Sequence, residues 1–296
     1  MNCTRTLLRS LMHFAAMVEA RDPYTGGHLW RVSQFAHLLA AEADFDDQQQ
    51  ARIALGGFLH DLGKIGVPDG ILNKAGPLNE EEFAIIKTHP EIGHRLLSQH
   101  PLAPLVDLAV HAHHERPDGS GYPQGLKGEA IPLVARVVGI ADAFDAMTSM
   151  RSYRAGMPIA QALEVIRDNL GTQFDARLGE HFLALGEASY LEHVVGHSEP
   201  GIPLQTCPEC GPIIVVMSRH GHGDLLYCPL CAAELALQRD DGKLSMTPTG
   251  HRGTPSQLAP EVDGDLIARL VQTAERLLST PLRAGLLSRL RTRFAF

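Results

Sequence analysis

One stretch decides the fold: Phe58-Leu59-His60-Asp61-Leu62-Gly63-Lys64, which closes a run of apolar residues at helical spacing. The adjacent His60 and Asp61 can offer an imidazole and a carboxylate to the same metal cluster. Lys64 lies about one helical turn after His60, so the two side chains share a face, and a lysine there can hold a phosphate oxygen near the metals. A histidine followed by an aspartate is common by chance, so this interpretation needs further ligands elsewhere in the chain.

Further candidate ligands lie in the helical patterns on both sides of this stretch. They are His28 early in a predicted helix, His89 before Pro90, the pair His113-His114 at a helix end, and Asp142 inside an otherwise apolar helix. A buried charge such as Asp142 needs an opposite charge or a metal. Any one of these histidines is more often a surface or hydrogen-bonded residue, but the whole set in this order indicates a metal centre.

Together with several short motifs, this set resembles the HD-GYP family, a branch of the HD-domain phosphohydrolases. The resemblance covers about residues 5–190. His60-Asp61 with Gly63-Lys64 matches the HD part, and Gly121-Tyr122-Pro123 matches the GYP part. The other matching stretches are Arg21–His28, Ile71–Lys74, His89–Gly93 and Gly171–Asp175.

The resemblance implies an all-helical bundle that holds two or three iron or manganese ions. It also implies a bacterial signalling enzyme that hydrolyses cyclic di-GMP to pGpG, to GMP or to both, with a metal-activated water. The implied metal ligands are His28, His60, Asp61, His89, His113, His114 and Asp142. Asp61 and Lys64 are the implied catalytic residues, and the implied substrate contacts are Lys64, Tyr122, Arg151 and Arg154.

Two departures from the family pattern bear on the metal count and on loop packing. Some members have a glutamate four residues before the first ligand histidine, where it helps to hold a third metal, but this chain has Tyr24 there. We therefore expect two metals, bridged by the two oxygens of Asp61. Mixed histidine and carboxylate ligands suit iron or manganese, although geometry leaves zinc open. Pro117 and Ser152 replace the usual Trp and Pro, and we expect them to alter loop packing more than chemistry.

The character of the sequence changes after Gly196. Two CxxC pairs, Cys207 with Cys210 and Cys228 with Cys231, are separated by a 17-residue insert that contains an apolar, strand-like run. This spacing predicts one structural zinc ion in a zinc-ribbon-like segment. A rubredoxin-like iron site and a redox pair are the alternatives.

The predicted fold class is therefore all-α, an HD-domain helical bundle followed by a small zinc-ribbon-like β segment and an amphipathic helix. We expect the catalytic domain over 1–195, the four-cysteine segment over 204–240, a linker over 241–262 and a helical tail over 263–296. The linker is predicted from its Gly, Pro, Ser and Thr content. The apolar stripe of the tail needs a cover, which can be the bundle, the ribbon or a second copy in a homodimer. A signalling protein is a further candidate partner for this region.

Composition limits the remaining possibilities. A formal net charge of -8 argues against binding nucleic acid through a broad basic surface. No apolar run reaches the roughly 20 residues of a transmembrane segment, and the chain start lacks a secretory signal, so we expect a cytoplasmic protein. Two alternatives to the enzyme stay open. One is a cyclic di-GMP receptor that has lost turnover, and the other is an HD phosphohydrolase acting on other nucleotides, which the GYP loop disfavours.

Overall fold

The structure is a computed structural model that describes residues 3–22, 25–74, 76–150, 156–240 and 243–278. A block of ten helices comes first, and a strand-rich segment and one more helix follow. The helices are α1 (Cys3–Glu19), α2 (His28–Glu42), α3 (Asp47–Leu59), α4 (Asp69–Leu72), α5 (Glu80–Ile86), α6 (His89–Leu97), α7 (Ala103–Ala112), α8 (Leu133–Thr148), α9 (Ile159–Asp168), α10 (Ala176–Glu187) and α11 (Gly264–Leu278). Short 3-10 turns span Leu62–Gly66 and Gly128–Ala130. None of the described helices is both long and apolar enough to span a membrane.

The core of the helical block forms where α2, α8 and α10 meet. Phe35, Phe144 and Phe182 are fully buried, one from each helix, and their rings pack edge to face with centroids 5.0 to 6.4 Å apart. Almost every side chain of α2 from His28 to Ala36 is buried, as expected for a helix at the centre of a bundle. The predicted helical bundle is confirmed.

The backbone changes from the α-helix α3 to a 3-10 turn around His60 and Asp61, and both side chains are buried. Asp46 caps the start of α3, where its side chain accepts from the Gln49 backbone N–H in a capping box, and the helix ends at Leu59. Lys64 therefore lies in the 3-10 turn rather than on the helix that precedes it. Gly63 lets this turn approach α6 closely, because a Cβ there would lie 1.8 Å from the carbonyl oxygen of His89.

The strand-rich segment forms three small antiparallel sheets. Its strands are β1 (His197–Glu199), β2 (Ile202–Pro203), β3 (Gln205–Thr206), β4 (Ile213–Ile214), β5 (Leu225–Tyr227), β6 (Ala233–Asp240) and β7 (Lys243–Arg252). β1 pairs with β2, β3 pairs with β4, and β5, β6 and β7 form the largest sheet in that order. The fold is therefore not all-α, since strands occupy much of 197–252.

The prediction of a linker over 241–262 is wrong for 243–252. These residues form β7, which pairs with β6 along its length. Leu244 and Met246 alternate with Ser245 and Thr247, and this period of two outweighs the polar composition that suggested a linker. Pro248 is tolerated because β7 is an edge strand.

α11 packs on the helical block rather than on the ribbon. Its buried residues Leu266, Ile267, Leu270 and Val271 belong to the same hydrophobic cluster as Leu8 of α1. The helical bundle therefore buries the apolar stripe of 264–278, which is one of the three possibilities that the sequence left open. The arginines of the tail, Arg283, Arg289, Arg291 and Arg293, lie outside the described residues.

Candidate metal centre

The helical block brings all seven predicted metal ligands to one place. They come from helix ends and one helix interior. His28 begins α2, His60 and Asp61 follow α3, His89 begins α6, His113 and His114 follow α7, and Asp142 lies within α8. Their ligand atoms form two groups that share no residue, which we call the first half-site (His28, His60 and Asp142) and the second half-site (His89, His113 and His114). A third group, His60, Asp61 and His113, connects them.

Asp61 lies between the two half-sites and presents one oxygen to each. Its Oδ2 is 3.4 Å from Nε2 of His28 and 3.3 Å from Nε2 of His60. Its Oδ1 is 3.5 Å from Nε2 of His89. In the first half-site, Asp142 Oδ1 lies 3.6 Å from His28 Nε2 and 3.7 Å from His60 Nε2. Asp61 could therefore offer one oxygen to a cation in each half-site.

Backbone carbonyls fix which ring nitrogen faces the centre in three of the ligand histidines. Nδ1 of His60 lies 2.7 Å from the carbonyl oxygen of Gly57, and Nδ1 of His89 lies 2.8 Å from that of Ile86. His113 makes the same kind of contact with Val110. A ring that donates from Nδ1 turns the lone pair of Nε2 toward the centre. Nε2 of His60 is buried and has no hydrogen-bond partner, as expected of an atom reserved for a metal.

The electrostatics of the two half-sites differ. Burial lowers the pKa of His89 to about 4 and that of His114 to about 3, so the second half-site offers neutral imidazoles. Burial also opposes a charge on His60, but the neighbouring Asp61 and Asp142 outweigh it and raise the His60 pKa to about 10. Carboxylates that hold a proton on a buried imidazole also attract a metal cation, which would displace that proton.

Asp145 is a residue of the centre that the sequence analysis left without a role. It is fully buried, and its Oδ2 lies 2.7 Å from Nδ1 of His28. Arg31, also buried, donates from Nε to Asp145 Oδ1 at 2.6 Å and from Nη2 to Oδ2 at 3.1 Å. The carboxylate thus orients His28 with its Nε2 toward the first half-site. Its spacing of three residues from Asp142 on one helix was an available signal, since residues three apart share a face.

Lys64 and Tyr122 lie at the edge of the centre. Lys64 Nζ is 2.6 Å from Asp61 Oδ2, and the lysine side chain is part exposed. The Tyr122 ring stacks on His114 with centroids 4.7 Å apart. Lys87, which the sequence analysis did not single out, is exposed and places its Nζ 5.4 Å from the Tyr122 ring centre and 5.5 Å from that of Phe83.

The loop that carries Tyr122 is held by a buried carboxylate. Glu115 accepts from the backbone N–H of Gln124 at 2.7 Å and from that of Leu126 at 2.9 Å. Its side chain therefore fixes the backbone beyond Tyr122. The predicted substrate contacts Arg151 and Arg154, together with Ser152 and Tyr24, lie outside the described residues.

The four cysteines form a second candidate metal site, within the strand-rich segment. All four sulfurs lie within 4.8 Å of one another, with 3.7 Å between Cys207 and Cys231 and 3.4 Å between Cys210 and Cys228. Sulfurs bound tetrahedrally to zinc at about 2.3 Å are about 3.8 Å apart, so the spacing fits a metal and not a disulfide. Burial opposes ionisation of Cys231, but the backbone N–H of Ala233 and the other thiols lower its pKa to about 7.

The family-model match to this chain falls within the helical block. A family model described as HD domain matches residues 13–178. The chain is 40% identical over 200 residues to the cyclic di-GMP phosphodiesterase response regulator RpfG of Xanthomonas campestris, a match that covers 65% of this chain and 52% of the relative.

Two further relatives differ in the substrate that they are named for. A 3'3'-cGAMP-specific phosphodiesterase of Vibrio cholerae is 40% identical over 60% of this chain and 38% of its own length. A cyclic di-GMP phosphodiesterase of Thermotoga maritima is 41% identical over 56% of this chain and 46% of its own length. The chain thus spans about half the length, or less, of these curated relatives.

Proposed function

The chain belongs to the HD-domain family, and from that premise we propose that it is a phosphodiesterase of the HD-GYP type. It hydrolyses cyclic di-GMP to pGpG, to GMP or to both. The observation that supports this most directly is Asp61, whose Oδ2 faces His28 of the first half-site and whose Oδ1 faces His89 of the second. Asp61 would help to hold two cations, which would supply the charge stabilisation that hydrolysis of a phosphodiester needs.

The residues present fit a pair of metal ions. The first half-site with Asp61 offers two imidazoles and two carboxylates, and the second half-site with Asp61 offers three imidazoles and one carboxylate. Such mixed nitrogen and oxygen ligands favour iron or manganese. When bound, two such ions lower the pKa of a water and neutralise charge on phosphoryl oxygens. Since Tyr24 stands where a further acidic ligand occurs in some family members, two ions are proposed rather than three.

The substrate is held by residues at the edge of the metal centre. Lys64 is close enough to Asp61 to place its ammonium beside a phosphoryl oxygen bound at the bridge. Its charge stabilises the negative charge that develops there. Tyr122 offers an aromatic face for a guanine, and Lys87 adds a positive charge above that ring. Arg151 and Arg154 complete the proposed phosphate contacts.

Cyclic di-GMP is proposed over other cyclic dinucleotides because the motifs resemble the HD-GYP family. Because one relative is named for 3'3'-cGAMP, that molecule is the substrate to compare with cyclic di-GMP in a turnover assay. A cyclic di-GMP receptor without turnover is disfavoured, because each of the seven ligands is present and all lie in one cluster.

The strand-rich segment is proposed to bind one structural zinc ion through Cys207, Cys210, Cys228 and Cys231. Four thiolates complete a tetrahedral site, which stabilises a segment too small to fold on a core of its own. A homodimer, a signalling partner through the C-terminal region and a cytoplasmic location stay predictions of the sequence. Since the apolar face of α11 is already buried on the bundle, such a partner would contact other surfaces.

The experiment that tests the function is turnover of cyclic di-GMP by anaerobically purified protein, with metal analysis of the same sample. We expect hydrolysis, two iron or manganese ions and one zinc ion per chain, and slower turnover of 3'3'-cGAMP. Asp61→Ala should abolish hydrolysis and lower bound iron or manganese while zinc stays. Full activity of Asp61→Ala with unchanged metal content would overturn the assignment.

A further inference from the structure

Arg31 lies where the helical block meets the strand-rich segment, and it uses every N–H group of its guanidinium. Its side chain is buried. Nε donates to Oδ1 of Asp145 at 2.6 Å, and Nη2 donates to Oδ2 of Asp145 and to Oγ of Ser149, both at 3.1 Å. Nη1 donates to the carbonyl oxygens of Gly26 and His197, each at 3.0 Å. Since a guanidinium carries five N–H donors, each donor of Arg31 has an acceptor.

The acceptors of Arg31 come from three parts of the fold. Asp145 lies in α8 and Ser149 follows that helix, Gly26 lies in the turn before α2, and His197 begins β1. Asp145 is the carboxylate that orients His28 toward the first half-site. One rigid, planar group therefore connects the strand-rich segment to the residue that orients a candidate metal ligand.

The strand-rich segment also packs tightly on the turn that leads to His28. A Cβ on Gly26 would lie 2.5 Å from Cγ2 of Val215, and a Cβ on Gly27 would lie 2.8 Å from Cα of Ser198. Ser198 in turn donates from Oγ to the carbonyl oxygen of Val216 at 3.2 Å. The turn and β1 thus have no space to shift relative to each other without a change in these contacts.

The cysteine site lies next to the strands that make these contacts. Cys207 directly follows β3, which pairs with β4. Val215 and Val216, which contact the turn and β1, directly follow β4. A metal bound by the four cysteines therefore stabilises the part of the strand-rich segment that rests on the turn before His28.

We propose that Arg31 is a positioning residue that makes the metal affinity of the first half-site depend on the strand-rich segment. The inference rests on the metal centre and zinc site proposed above. When His197 moves away, Nη1 loses an acceptor in a buried site, which is costly. The guanidinium then shifts toward other acceptors, and Asp145 no longer holds His28 in its metal-binding orientation. Loss of such an orienting contact typically lowers metal affinity about 10–100-fold.

The test perturbs the cysteine site and measures metal affinity at the metal centre. Cys210→Ser removes one exposed cysteine of that site, and manganese affinity of the full chain is measured by competition with a chelator. Manganese reports on the metal centre because thiolate sites favour softer metals. We expect Cys210→Ser to lower manganese affinity about tenfold. Cys3→Ser is the matched control, because Cys3 is also exposed but lies in α1, and it should leave the affinity unchanged.

A double-variant comparison shows whether the effect passes through Arg31. Arg31→Lys keeps a positive charge near Asp145, but one ammonium cannot replace the separate nitrogens that face Asp145 and His197. Arg31→Lys should lower manganese affinity about tenfold, and adding Cys210→Ser should then lower it by less than twofold.

Several outcomes would overturn the proposal. Unchanged manganese affinity in Cys210→Ser overturns it even if Arg31→Lys fails to fold. A further tenfold loss when Cys210→Ser is added to a folded Arg31→Lys chain would show that the effect does not pass through Arg31. An original chain that binds no manganese would overturn the proposed metal centre and this inference with it.

Discussion

Asp145→Asn is the change that best tests how the metal centre is built. The substitution keeps the size of the side chain but removes its charge and turns one oxygen into an N–H₂ donor. In the structure both oxygens accept, one from Arg31 Nε at 2.6 Å and the other beside His28 Nδ1 at 2.7 Å. An asparagine cannot satisfy both neighbours. If its N–H₂ faces His28, it donates to Nδ1 and moves the ring proton to Nε2, where it blocks metal binding.

The expected magnitudes follow from the burial of this pair. Loss of a carboxylate that orients a metal-binding histidine typically costs 10–100-fold in metal affinity, so a loss of about that size is expected. Arg31 and Asp145 are both nearly inaccessible to solvent, and an unpaired buried charge costs about 3–5 kcal/mol. The free energy of unfolding should fall by about that amount.

The two effects are measured separately. Manganese affinity is measured by competition with a chelator, and the free energy of unfolding of the metal-free protein is measured in urea. Asp107→Asn is the matched control, because Asp107 Oδ1 lies 2.7 Å from His94 Nδ1 in a similar pair that contributes to neither half-site. This control should keep its manganese affinity. If Asp145→Asn binds manganese as tightly as the unchanged protein, Asp145 does not orient His28, whatever happens to stability.

Three further predictions concern the substrate and the C-terminal region. Lys64→Ala should keep both metals but slow hydrolysis of cyclic di-GMP by about 10²–10³-fold, and unchanged turnover would show that Lys64 does not act on the phosphate. Lys87→Met should raise KM for cyclic di-GMP about fivefold with little change in kcat, because it removes one exposed positive charge beside the proposed site for an anionic substrate, and a normal KM would remove Lys87 from the substrate site. A chain ending at Gly196 should fail to fold cooperatively in thermal unfolding monitored by circular dichroism. It loses four large buried side chains of α11, worth about 6–12 kcal/mol together, against a net stability of about 5–15 kcal/mol, and a folded, active truncation would contradict this.

The sequence located the metal centre because its ligands are polar residues in otherwise apolar helices. Such residues stand out in a linear pattern, and their order matched a known family. Asp145 and Glu115 did not stand out in this way. Each acts by accepting hydrogen bonds from groups far along the chain or from backbone N–H groups, and the pairing of Arg31 with Asp145 spans 114 residues. Only the folded chain brings such partners together.

In the C-terminal region the linker prediction was wrong and the cover of α11 was left open, each for its own physical reason. Composition marked 241–262 as a linker, but β7 is stabilised by its ladder with β6 and needs little apolar content of its own. α11 was recognised as amphipathic, yet an apolar stripe does not identify the surface that covers it. The surface that α11 packs on depends on where the chain leaves the strand-rich segment. A local sequence pattern does not determine that position.

Through α11 the C-terminal region packs against the helical block that carries the candidate metal centre. α11 completes the hydrophobic core on α1 and α3, and α3 leads directly into His60 and Asp61. The strand-rich segment meets the same block at Gly27 and Arg31, beside His28. Two ligands of the first half-site, His28 and His60, therefore lie next to elements that the C-terminal region contacts. The second half-site is instead built from the ends of α6 and α7. A change in the strand-rich segment should for this reason affect the first half-site before the second.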